Sequence, residues 1–146
     1  MRRVLLRSAV TGLMAASFLA IAPAAFAQAV MYKADLKAAS EVPPADSKGS
    51  GTLQATYDPA SKKLSYTVNY KDLSGPATAA HFHGPASAGA NAPVVVPFNN
   101  ASSPIEGTAT LTPAQAADLL AGRWYANIHT AANPGGEIRG QMLPKM

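Results

Sequence analysis

The chain has 146 residues, a formal net charge of +4, three histidines and no cysteine. Because three of its twelve basic residues lie in a predicted signal segment, the remainder carries nine basic and eight acidic residues, which does not favour nucleic acid or an anionic membrane as a partner. The absence of cysteine excludes disulfides and thiolate chemistry, so stability must come from packing.

Residues 1–27 have the layout of a signal peptide rather than of a folded element. The segment has a basic start, a mostly apolar stretch at residues 10–22 and a small-x-small cleavage site before Gln28. That stretch is shorter than the ~20 residues that span a bilayer, so we expect an exported protein, periplasmic or secreted, without stable membrane insertion. An uncleaved anchor is the alternative. Residues 28–146 are long enough for one domain and not for two.

Alternation of apolar and polar residues with a period of two predicts a first strand over Val30–Leu36. Two further alternating segments flank the turn at residues 58–63 and predict an antiparallel hairpin. Loops rich in glycine and proline are predicted at residues 41–51 and 84–93. The remaining predicted strands are short, at residues 78–83, 94–98, 107–111, 124–130 and 137–142.

One helix is predicted over Pro113–Ala121. Thr112 can cap it, Pro113 suits the first helical position, and Gln115 completes a Thr-x-x-Gln capping box. Short strands, frequent turns and one short helix together predict an all-β fold, an antiparallel sandwich or Greek-key barrel.

All three histidines lie in two of the predicted strands. Side chains alternate along a strand, so His81 and His83 share one face and Phe82 points to the other. The same alternation places Ile128 in the core and His129 on the outer face. If the two strands are neighbours, the three imidazoles emerge on one surface.

This arrangement predicts a mononuclear site in which His81, His83 and His129 bind one copper or zinc ion and leave a fourth position for water or another ligand. Metal-bound imidazoles usually donate their second N–H to an acceptor. The sequence offers three candidates for a supporting role of this kind, Asn127, Thr130 and Glu137. The alternative is that the histidines are exposed cross-strand neighbours, or hydrogen-bond donors that pin the loop at residues 84–93.

Two other pairs of side chains have functional and structural interpretations. Glu137 and Arg139 share a face of the last predicted strand, and we expect an exposed pair of opposite charge, which contributes at most ~1 kcal/mol. Trp124 and Tyr125 could form a binding platform, but the alternation places Trp124 on the inward face of its strand, which favours a structural role. No Gly-x-Ser-x-Gly elbow or paired-carboxylate motif is present, so no catalytic residue is predicted and an enzyme is not favoured.

Several motifs occur in the order of a known family, namely His81–Ala86, Pro93–Val96, Leu111–Gln115, Leu119–Thr130 and Asn133–Gln141. Together they resemble the CHRD domain, named after chordin and present in many exported bacterial proteins, from about Tyr32 to Met142. The resemblance implies an immunoglobulin-like or superoxide-dismutase-like barrel in an extracytoplasmic protein, and no settled activity. A fainter likeness is to copper/zinc superoxide dismutase, but its binuclear site needs more histidines than the three present.

The first functional hypothesis is therefore an exported CHRD-type binding module that holds one copper or zinc ion. A non-metal adhesion or protein-interaction domain is the second, with its specificity in the loops at residues 41–51 and 84–93. A mononuclear copper redox enzyme is the third. Neither the partner, a protein or a small ligand, nor the oligomeric state follows from the sequence.

Overall fold

The computed structural model describes residues 28–145, so the predicted signal peptide at residues 1–27 lies outside the described residues. In chain order the elements are β1 (Val30–Lys37), a 3-10 turn (Ala38–Ser40), β2 (Ser50–Asp58), β3 (Lys63–Lys71), β4 (Ala77–His83), β5 (Val94–Pro97), β6 (Ile105–Thr110), α1 (Pro113–Leu120), β7 (Tyr125–Thr130), β8 (Ile138–Gln141) and β9 (Leu143–Pro144). Within this part of the chain, no helix has the length and apolar character needed to cross a bilayer.

The strands pair antiparallel in one sheet, in the order β5-β4-β7-β8-β1-β2-β3-β6, and β9 pairs with β1. Although β3 and β4 are far apart in this order, the rings of Tyr66 and Phe82 on their inner faces lie 4.9 Å apart, centroid to centroid. The sheet therefore curls onto itself into a nearly closed barrel. This confirms the predicted all-β fold with one short helix.

The period-two alternation of the sequence generates the core of this barrel. Along β1 every second side chain from Tyr32 to Leu36 is buried, and the intervening ones are exposed. In β4 the fully buried residue is Phe82, whose ring meets three other aromatic rings, those of Tyr66, Phe98 and Trp124. The core thus lies between the two halves of the curled sheet, and Phe82 anchors β4 to it.

The helix α1 begins at the predicted capping box. The Thr112 side chain accepts a hydrogen bond from the Gln115 N–H, and the Gln115 side chain accepts one from the Thr112 N–H at 2.9 Å. Pro113 occupies the first turn, where its missing N–H costs no hydrogen bond. Leu119 is fully buried while Leu120 is exposed, so α1 lies on the surface of the barrel and connects β6 to β7.

Two loops cover the outer face of β7 and β8, one at residues 41–49 and one at residues 84–93, the covering loop. The prediction of an exposed Glu137–Arg139 pair is wrong, because these side chains are only 0% and 2% exposed. Glu137 is hydrogen-bonded to Ser47 and Ser74, whereas Arg139 donates to the covering loop. Alternation correctly indicated that both point out of the barrel core, but it carried no information on the loops that enclose them.

Candidate metal centre

The two strands that carry the histidines are direct neighbours. β4 and β7 pair antiparallel, with Ala79 opposite His129 and Ala80 opposite Ile128. Phe82 and Ile128 are fully buried, as the alternation predicts. The structure accordingly brings His81, His83 and His129 together on the outer face, where one ligand atom from each lies within 4.8 Å of the others.

The spacing of the ring nitrogens of His81 and His129 fits a shared ion. Nδ1 of His81 and Nε2 of His129 are 3.2 Å apart. At a metal–nitrogen distance of ~2.0–2.1 Å, two ligands at this separation subtend an angle of roughly 100° at the metal, close to tetrahedral. The His83 ring completes the group, with its centroid 5.4 Å from that of His81 and 6.0 Å from that of His129. All three side chains are half-buried.

Backbone carbonyls fix the orientation of two of the three imidazoles. Nδ1–H of His83 donates to the Ala92 carbonyl, and Nδ1–H of His129 donates to the Pro134 carbonyl, each at 2.9 Å. In the neutral rings both Nε2 atoms are therefore unprotonated. Nε2 of His83 is buried and has no hydrogen-bond partner among the described residues. These acceptors are backbone carbonyls and not the side chains predicted for this role, which were those of Asn127, Thr130 and Glu137.

Burial lowers the pKa of His81 and of His83 below the ordinary value, and the neighbouring imidazoles lower it further. The hydrogen bond from His83 to the Ala92 carbonyl opposes this effect without reversing it. Both rings therefore favour the neutral form, which is the form that binds a metal ion.

Tyr125 packs against the cluster instead of forming an exposed platform. Trp124 is fully buried in the core, as its parity predicts, and Tyr125 is only 3% exposed. The Tyr125 ring stacks on that of His83, with centroids 4.9 Å apart and planes inclined by 2°. Tyr125 thus limits how far the His83 ring can tilt.

A buried polar pair that the sequence did not predict lies on the same face of the sheet. Asn127, opposite His81 in the strand register, donates through Nδ2 to Oε1 of Glu41 at 2.6 Å. Burial raises the pKa of Glu41 to about 7, although the bond from Asn127 and the charge of Arg139 both lower it. Oδ1 of Asn127 is buried without a partner among the described residues. The only sequence signal at Glu41 is a carboxylate in a proline-rich loop, which is also typical of an exposed residue.

Replacing Glu41 with glutamine should stabilise the metal-free protein above neutral pH. The carboxyl titrates near its ordinary value of 4.5 when unfolded and near 7 when folded, so the folded state loses stability as the pH rises through that window. A neutral amide removes this loss and can also donate to Oδ1 of Asn127. We expect a gain of about 1–3 kcal/mol near pH 8 and a smaller gain near pH 5.

Urea unfolding at both pH values measures this effect. The matched control is Glu106→Gln on the exposed side of β6, which should leave the free energy of unfolding unchanged. A loss of stability in Glu41→Gln at the higher pH, or an equal gain at both, would contradict the expectation.

The fold and the histidine cluster define a small all-β domain with a candidate mononuclear metal centre. The family model of the CHRD domain matches residues 32–142, which is most of the chain, so the chain belongs to the CHRD domain family. This confirms the resemblance in the sequence and supports a binding module. No match is found among curated proteins or among solved structures.

Proposed function

We propose that this protein is an exported binding module that holds one copper or zinc ion through His81, His83 and His129. The observation that carries the proposal is the convergence of three ring nitrogens within 4.8 Å on one face of two paired strands. Imidazole nitrogen suits both ions, and three such ligands leave one position for water or a further ligand.

The two carbonyl contacts add support, because they hold His83 and His129 in the tautomer that a metal at Nε2 requires. Since Nε2 of His129 is unprotonated, the 3.2 Å contact requires Nδ1–H of His81 to be the donor. An ion bound between these nitrogens would replace that hydrogen bond, and the His81 proton would move to its other ring nitrogen.

Protein purified without an affinity tag and freed of metal should bind one equivalent of Cu²⁺ or Zn²⁺ in calorimetric titrations. His81→Ala and His129→Ala should each weaken binding by more than roughly 100-fold, the upper range for loss of a residue that only supports a ligand. Copper should bind more tightly than zinc if the donor set alone decides the affinity.

Lys33→Ala is the matched control, since Lys33 is exposed on β1, and this variant should bind like the native protein. Circular dichroism should show the native fold in all three variants. Unchanged copper and zinc affinity in both histidine variants would mean that the site does not exist. The export part of the proposal has a separate test, because the mature protein should begin at Gln28 on amino-terminal sequencing.

The carbonyl contacts also favour a second candidate, a non-metal interaction domain. His83 and His129 each hydrogen-bond a loop carbonyl, and such bonds can serve only to hold the loops in place. In that case the native protein would bind neither ion, and the histidine substitutions would alter loop order alone. The same titrations distinguish the two candidates.

A further inference from the structure

The covering loop at residues 84–93 is attached to β8 by a buried arginine. Arg139 donates through Nη1 to Oδ1 of Asn91 at 3.0 Å and through Nη2 to the Ala90 carbonyl at 2.6 Å. Among residues 28–145, Arg139 forms no ion pair. Enclosing a guanidinium is costly unless its N–H groups find acceptors, so these two neutral acceptors offset part of that cost.

Tyr125 connects this arginine to the histidine cluster. The Arg139 guanidinium lies 3.5 Å from the centroid of the Tyr125 ring, and the His83 ring stacks on Tyr125 at 4.9 Å. Because β4 and β8 flank β7 on opposite sides, Tyr125 lies between the cation and the imidazole. A guanidinium against an aromatic face is attracted by the electron density of the ring.

Tyr125 and Arg139 both hold the part of the covering loop that hydrogen-bonds His83. The Tyr125 hydroxyl oxygen accepts the N–H of Ala92 at 3.0 Å, and Arg139 holds the loop at Ala90 and Asn91 immediately before it. The carbonyl of the same Ala92 accepts Nδ1–H of His83. The position of that carbonyl, and with it the tautomer of His83, therefore depends on contacts made by β7 and β8.

We infer that Arg139 and Tyr125 are positioning residues for His83. They hold the Ala92 carbonyl where it keeps the proton on Nδ1, so that Nε2 faces the other two histidines with a free lone pair. The effect on metal affinity rests on the proposed function, whereas the effect on the tautomer of His83 does not.

The test is NMR of the histidine ring nitrogens in metal-free protein, followed by zinc titration. The native protein should show His83 with its proton on Nδ1. Arg139→Met should populate the Nε2–H tautomer of His83 and weaken zinc binding by roughly 10–100-fold. Arg123→Met removes an arginine of an exposed ion pair with Asp118 and should behave like the native protein.

A second variant keeps the test decisive if Arg139→Met does not fold. Tyr125→Phe retains the ring and removes only the hydroxyl that holds Ala92, and it should shift the tautomer in the same direction. A native His83 tautomer in the folded variants would overturn the inference, even if the native protein binds zinc. A shifted tautomer in a protein whose native form binds neither ion would support the positioning role and overturn the proposed function.

Discussion

The free energy of unfolding of the Phe82→Ala protein should be about 3–5 kcal/mol lower than that of the native protein, the usual loss when a large aromatic side chain is removed from a core. The Phe82 ring is fully buried and fills the space between the two halves of the barrel. It meets the ring of Tyr66 at 4.9 Å and that of Phe98 at 4.7 Å, both edge-on. Alanine would leave a cavity that rigid neighbouring strands cannot fill.

Guanidinium unfolding of the metal-free proteins measures this loss. Phe98→Ala is the matched control, because Phe98 stacks on the same cluster but is only half-buried, and its loss of stability should be smaller. A loss below about 1 kcal/mol in Phe82→Ala would indicate that the barrel collapses into the space, contrary to the expectation.

The Glu137→Gln protein should lose about 2–4 kcal/mol of unfolding free energy near pH 7, because hydrogen bonds to a charged group contribute more than those to a neutral one. Glu137 is fully buried just before β8. Its carboxylate accepts hydrogen bonds at 2.5–3.2 Å from four residues, Ser47, Ser74, Thr130 and Asn133. Glutamine keeps one acceptor oxygen and directs an amide N–H at groups that are themselves donors.

The pH dependence of this loss identifies its origin. Burial raises the pKa of Glu137, but the hydrogen bonds from Ser47, Ser74 and Thr130 outweigh burial and hold the pKa at about 2. Relative to the ordinary value of 4.5, this stabilises the folded protein above pH 4.5, and the contribution is lost as the pH falls through that window towards 2.

Urea unfolding at several acidic pH values should therefore show the native protein losing its advantage over Glu137→Gln below about pH 4.5. Glu106→Gln, on the exposed side of β6, should differ little from the native protein throughout. A difference between the native and Glu137→Gln proteins that stays constant down to the acid transition would argue against an ionised carboxylate at the centre of this cluster.

Local patterns in the sequence were sufficient to predict the buried face of the strands and the start of the helix, because local geometry determines both. The period of two placed Phe82 and Ile128 in the core, and the capping box of Thr112 and Gln115 placed the start of α1. β9 was not predicted, since two residues carry no periodic signal. Leu143 forms a strand only because Lys33 of β1 lies beside it.

The candidate site was predictable only in part, because some of its features are local and others depend on long-range contacts. The alternation of side chains predicted which face each histidine lies on. The pairing of β4 with β7 is a long-range contact that the sequence does not reveal, so it could only be assumed. The acceptors for His83 and His129 are backbone carbonyls, which every residue possesses, so no residue type marks Ala92 or Pro134. The burial of Arg139 was not predicted either, because it depends on the covering loop, a long-range contact that the alternation of residues within β8 does not reveal.

The carbonyl contacts of His83 and His129 have a thermodynamic consequence for the capture of an ion. Immobilising a mobile side chain on binding costs roughly 0.5–1.5 kcal/mol in lost rotamer freedom. Two of the three imidazoles are already held by Ala92 and Pro134, so only His81 has to be rearranged. Most of the conformational entropy of the three rings is thus lost during folding, and the domain would act on an incoming ion as a rigid receptor.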